Sequence, residues 1–163
     1  MLITDYYRML NEQMHRLHQF DGNDSMMHFY SILSYAQKIK AETILDYGCG
    51  SAEIGRHMPL KVHNYDPNVP EFAPDPPPCD LLICLDVLEH VEPWCIDAVV
   101  EHMQERAVLG MYLHIALAPD ETKVLPDGSN PHSIIRSAEW WIRKFKPEEI
   151  ICHRPNYSVT LIC

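Results

Sequence analysis

The sequence predicts an α/β protein with a doubly wound, mostly parallel sheet and a C-terminal antiparallel hairpin. Three observations carry this reading. Leu81-Leu82-Ile83-Cys84-Leu85 is apolar at every position, the pattern of a strand buried on both faces between helical layers. Short apolar runs alternate with stretches of helical periodicity along the chain. A third signal is Thr43–Asp46, a short apolar run that opens into Gly48-Cys49-Gly50. Such a turn exposes backbone N–H groups, lets a ligand approach the main chain and leads into a helix.

The elements follow in order. Ile3, Tyr6/Tyr7, Leu10, Met14 and Leu17 recur at helical spacing over residues 2–19. Phe20 to Asp24 reads as a turn. A second helix runs from about Ser25 to Lys40, with Phe29, Ile32/Leu33, Ala36 and Ile39 on one face. Strand Thr43–Asp46, the glycine turn and a short helix near Ala52–His57 come next. Lys61–Tyr65 is a second strand ending at Asp66-Pro67. Prolines at 67, 70, 74, 76, 77 and 78 exclude a regular helix there, leaving an ordered surface connection. After strand 81–85 come a helix over 94–107, a strand Met111–Leu117 and a long loop Ala118–Ile135. A helix capped by Ser137 runs to about Phe145. Glu149–His153 and Ser158–Ile162 close the chain as a hairpin turning at Asn156.

At 163 residues the chain is long enough for one domain with a real core. The reading is a single domain, 1–163, with 1–42 as a helical lid and 43–163 as the sheet core. The formal charge is -10, and Lys and Arg are dense only at Arg136, Arg143, Lys144 and Lys146. Grip on a nucleic-acid backbone wants a basic face, so nucleic acid is disfavoured and a small molecule fits better. Six cysteines form no Cys-x-x-Cys pair, which fits free thiols in a reducing cytoplasm. No apolar run is long enough to span a bilayer, and no signal peptide is expected.

Three successive strands end in an acid: Asp46, Asp66 and Asp86. Ligands of open α/β sheets bind at the carboxyl ends of strands, and an acid ending the second strand can accept both ribose hydroxyls. Ile44-Leu45-Asp46-Tyr47-Gly48-Cys49-Gly50, Tyr65-Asp66-Pro67 and Cys79 through Val91, with its Asp86-Val87-Leu88-Glu89-His90 segment, together resemble class I S-adenosylmethionine-dependent methyltransferases, a Rossmann-like fold. The resemblance covers about 43–117. It implies S-adenosylmethionine as cofactor, held by Asp46, Tyr47, Gly48, Cys49, Gly50, Asp66, Pro67, Leu85 and Asp86. Gly48 and Gly50 would lie against the methionine part, Asp46 would reach its amino group, and Asp66 the ribose. The acid usual at the end of a third strand has no match, so that strand is reduced or missing, and adenine is expected near Pro76–Cys79. A dinucleotide fingerprint would want a third glycine where this chain has Glu53.

The implied reaction is methyl transfer to oxygen or nitrogen of a small polar acceptor. Degradation of the cofactor, a non-catalytic cofactor-binding subunit and a nucleic-acid methyltransferase are the alternatives. Such chemistry needs an aligned nucleophile and at most a base. The candidate bases are His132, His90 and Glu89; His114, mid-strand between Leu113 and Ile115, reads as a core histidine. His132 sits in the longest loop, and loops of this length are usually functional. Asn130, His132 and Trp140, which leans off its helix's core face, are the candidate substrate contacts. Met26/Met27 and Tyr6/Tyr7 read as lid or core. His15 and His18 stand at i, i+3 without a carboxylate partner, so no metal site is expected.

Overall fold

The computed structural model describes residues 1–17, 23–154 and 156–163. His18, and with it the His15/His18 pair, lies outside the described residues, as do Phe20 to Gly22 of the expected turn.

Helix α1 (Asp5–Arg16) is started by Thr4, whose Oγ1 accepts the Tyr7 N–H at 3.2 Å. Its Tyr7, Leu10 and Met14 pack on Leu125 of the long loop. Asn23–His28 is a 3-10 turn, and helix α2 spans Phe29–Ile39, so the helix begins four residues later than its apolar periodicity suggests. Strand β1 is Thr43–Tyr47, helix α3 Glu53–His57 and strand β2 Lys61–Tyr65. Strand β3 is Cys79–Leu85, helix α4 Ile96–Arg106 and strand β4 Ala107–Ala116. Helix α5 is Ala138–Phe145, followed by strands β5 (Glu149–Arg154) and β6 (Ser158–Ile162).

β4 starts four residues earlier than expected. Val108 and Leu109 are exposed, so the strand extends as apolar chain beyond the core instead of beginning where burial does. Ser137 occupies the N-cap of α5, but its side chain makes no cap bond. Asn156 turns the hairpin with φ +68°.

The six strands order β2-β1-β3-β4-β6-β5. β1, β2, β3 and β4 pair in parallel; β6 pairs antiparallel with β4 and β5. β3 explains its own composition. Leu82 and Cys84 pack with Val99, Met103 and Trp141 of α4 and α5, while Leu81 and Ile83 pack with Ile32 and Ala36 of α2 and Ile54 of α3. A residue pair pointing each way needs apolar side chains throughout.

β2 is an edge, with no further strand outside it among the described residues, as the proline density requires. The 66–78 connection is tied down: Asp75 pairs with His102 and Arg106, each at 2.8 Å, and Pro76 accepts the Arg106 Nε–H at 3.0 Å. Parallel pairing places all four strand tips at one end of the sheet, where the site lies.

Candidate active site

The tips of β1 to β4 open into a cavity of about 740 Å³, within the size range of small-molecule and cofactor pockets. The first tip is the glycine turn. Gly48 has φ +83°, and a Cβ there would overlap the Val87 side chain. No other residue type fits both the left-handed backbone and that contact. Its N–H groups are not exposed as the sequence suggests. Those of Gly48 and Cys49 donate to the Tyr65 carbonyl at 2.7 and 3.1 Å, and that of Gly50 donates to Asp66 Oδ2 at 3.1 Å. The turn satisfies its own donors against β2, and a ligand meets its bare surface instead.

Asp66 lines the cavity and is nearly fully buried. Its Oδ1 accepts the Asn68 N–H at 2.9 Å, so each oxygen holds one backbone donor and keeps a lone pair for a ligand. Asp46 is buried behind the turn, and burial, with Asp66 close by, pushes its carboxyl up to about 7. Asp86 lines the cavity with φ +52°, an uncommon conformation for a residue with a side chain. Its Oδ1 lies 3.8 Å from His114 Nε2.

The other wall comes from the 3-10 turn Leu88–His90 and the long loop. Glu89 is 0% exposed, and its Oε1 accepts the Ala116 N–H at 2.9 Å. Burial, then Asp86, raises its carboxyl well above the usual range. His90 meets His132 edge to face at 4.8 Å. Burial and that neighbour push the His90 imidazole down to about 3, so it is neutral. Asn130 staples the loop: its Oδ1 accepts the N–H groups of Asp120 (3.2 Å) and His132 (2.9 Å), and its Nδ2 donates to the Asp120 carbonyl (2.8 Å).

The segment just before α1, through Leu2 and Ile3, and α1 itself, through Tyr7 and Asn11, roof the cavity. This roof is pinned at both sides. Tyr7 Oη donates to the Pro131 carbonyl at 3.1 Å, Arg8 donates to the Pro67 carbonyl at 2.8 Å, and Glu92 accepts from Thr4 N and Oγ1 at 2.8 and 2.7 Å.

No protein-family sequence model matches this chain, and no curated protein does. Solved structures do match. TehB from Haemophilus influenzae superposes with a TM-score of 0.57 at 13% identity over 88% of this chain and 66% of that one. DhpI in complex with SAH gives 0.54 at 15% identity, over 97% and 92%. Magnesium protoporphyrin IX methyltransferase (ChlM) from Synechocystis PCC 6803, with bound SAH, gives 0.56 at 16% identity, over 90% and 85%. The chain has the class I methyltransferase fold.

On this methyltransferase fold, Tyr47, Gly48, Gly50, Asp66, Pro67, Leu85 and Asp86 line the cavity together with Glu89, His90 and His132. Cys49 and Asp46 are buried outside the lining. Three expectations find another arrangement. Asn130 is spent on loop hydrogen bonds. Trp140 lies outside the lining, beneath Arg136 and Lys144 at 5.9 and 5.1 Å and against Trp141 at 4.8 Å; it packs at the margin of the core, covered by one cation before its helix and one within it. Pro76–Cys79 is drawn to α4 by Arg106 and is absent from the cavity wall. Of the 1–42 lid, α1 and Ser25 reach the cavity, while α2 packs on the sheet. His114 bonds Thr160 Oγ1 at 2.7 Å and stacks near His28 at 4.3 Å. Tyr7, read as lid or core, lines the cavity; Asn11 was missed because only α1's docking brings it to the tips, and Glu92, two residues beyond the Leu88–His90 turn, was missed because its bonds to Thr4 show only in the fold. Among the described residues, no helix is long and apolar enough to cross a membrane.

Proposed function

We propose that this protein is an S-adenosylmethionine-dependent methyltransferase acting on oxygen or nitrogen of a small polar acceptor. One observation carries the reading: three acids from successive strand tips gather at a roofed cavity whose glycine-turn N–H groups (Gly48, Cys49 and Gly50) are already bonded within the protein. Asp66 and Asp86 line it and Asp46 is buried behind it. Such a pocket is acceptor-rich and negative, and it suits a ligand bearing hydroxyls and positive charge, not a phosphate. S-adenosylmethionine carries a ribose diol, an ammonium and a sulfonium. The likeness to SAH-bound DhpI and ChlM supports the same choice.

In this reading Asp66 takes the ribose hydroxyls with its remaining lone pairs. The surface of Gly48 and Gly50 receives the methionine portion, with Asp46 near its ammonium. Leu85 and Asp86 border the opposite side. When bound, the cofactor supplies a methyl already made electrophilic by the sulfonium. The chain's own work is to exclude water beneath α1, align the acceptor and receive its proton. Among the three candidate bases His132 is the one suited to this. His90, held neutral far below neutral pH, has little proton affinity, and the Glu89 carboxyl is fully buried with one oxygen already held by the Ala116 N–H.

Calorimetry with S-adenosylmethionine and with SAH tests the reading. One bound equivalent, weakened by Asp66→Ala, is expected. No binding of either compound at millimolar concentration would refute it.

A further inference from the structure

We propose that Glu89, His90 and His132 form a binding site for one divalent transition-metal ion on the cavity wall. One ligand atom from each lies within 4.8 Å of the others. The three come from two segments more than forty positions apart, yet all line the same cavity. Nothing in their contiguous sequence would bring them together; the Asn130 staple and the seating of the loop on Glu89, whose carbonyl accepts the Ile134 N–H at 2.9 Å, do so.

Glu89 gives the second, independent observation. Its side chain is completely buried, one oxygen is used by Ala116, and Oε2 has no hydrogen-bond partner among the described residues. A buried carboxylate oxygen left without a donor is costly, and an ion would supply the missing positive charge. The histidine rings are arranged accordingly. His132 Nδ1 is bonded to the Ala118 carbonyl, and the His90 ring bonds the Pro131 carbonyl. A neutral imidazole that donates through one nitrogen carries a lone pair on the other, and a carbonyl on the far nitrogen is the usual device for orienting a metal-bound ring.

Two imidazoles and one carboxylate favour zinc, cobalt or manganese over calcium or magnesium. Tetrahedral zinc needs ligand atoms about 3.3 Å apart, so closing on an ion requires side-chain shifts on the order of 1 Å. Three protein ligands leave a position open toward the cavity. Use of that position to hold an acceptor's oxygen beside the cofactor rests on the methyltransferase reading, and with the ion bound His132 would serve as a ligand instead of the base; the ion site itself does not rest on that reading.

The test is titration of chelator-treated protein with Co2+, followed by its visible absorption and by displacement with Zn2+. One equivalent is expected to bind with a ligand-field spectrum, and Zn2+ to displace it. Glu89→Gln, which keeps an acceptor for Ala116, and His132→Ala should each weaken binding by more than about a hundredfold. Both variants should keep the wild-type far-UV circular dichroism and a cooperative thermal transition, which shows them folded without reference to any ligand. On wild-type protein, imidazole nitrogen resonances of His90 and His132 should shift with Zn2+, a readout independent of any variant. Absence of stoichiometric binding, unchanged affinity in both variants, or unshifted resonances would overturn the proposal. SAH titration of the wild type is scored separately, so loss of the cofactor reading and loss of the metal site are distinguishable.

Discussion

The two ends of the cavity are built differently. At the β1–β2 end, the N–H groups of the glycine motif are matched within the protein: Gly48 and Cys49 to Tyr65, Gly50 to Asp66. At the β3–β4 end, a fully buried carboxylate keeps one oxygen without a donor beside two imidazoles. The first end is a finished surface shaped to be covered, while the second is polar and incomplete. A ligand-binding pocket that holds a cofactor at one end and reacts at the other needs this asymmetry. In the proposed methyl transfer, the preorganised backbone would fix the cofactor, and the polar groups at the second end would meet the acceptor.

The largest effect is expected at the finished end. Gly48→Ala should lose about 2–4 kcal/mol, from the left-handed backbone and the Val87 contact together. Denaturant unfolding measures it. Adding Val87→Ala should recover the steric share and leave the backbone share, so the double variant separates the two causes. An unchanged midpoint for Gly48→Ala would mean that the turn is not held as described.

Asp66→Ala should cost SAH binding about 2–3 kcal/mol, roughly 30- to 150-fold, read by calorimetry. Equal affinity would move the ribose away from the β2 tip. The aspartate also holds the Gly50 and Asn68 N–H groups, so part of the loss should appear as a lowered unfolding midpoint without ligand.

Asp46 gives a pH signature. Its carboxyl is raised to about 7 in the folded protein by burial and Asp66, against 3.8 for an ordinary aspartate. Folding therefore favours the protonated form. Its contribution to stability is fully present below pH 3.8 and is lost as pH rises through 7. Asp46→Asn should raise the apo-protein's Tm at pH 8 more than at pH 5. Binding of the cofactor's ammonium has the opposite sense, since it wants the anion: wild-type affinity should fall up to about tenfold per unit below pH 7, and the Asn variant should lose that slope. Parallel pH profiles in the two proteins would remove Asp46 from the cofactor.

Much of the first end was legible because it is local. A strand, a turn and an acid at each tip are contiguous, and β3's unbroken apolar run reports burial on both faces directly. The proline density from Pro67 to Pro78 forecast the missing outer strand because proline removes ladder donors. The second end was readable only as parts. Glu89, His90 and His132 stood out singly as bases, but their convergence depends on how residues 117–135 fold back, which the Asn130 and Leu125 contacts decide. Trp140 misled for a related reason. Periodicity showed that it leaves the core face, but not that Arg136 and Lys144 one turn away on either side would cover it.

That difference predicts the smallest effect. Trp140→Ala belongs to neither end and should lower stability by about 1–2 kcal/mol while leaving SAH affinity within twofold. A large loss of affinity would return the indole to the site.

The most direct measurement is calorimetric titration of the wild-type protein with SAH at pH 8, where Asp46 is ionised. One equivalent should bind, and S-adenosylmethionine should compete for the same site. Absence of heat at millimolar SAH, or binding that S-adenosylmethionine does not displace, would contradict the assignment of the strand-tip cavity to this cofactor.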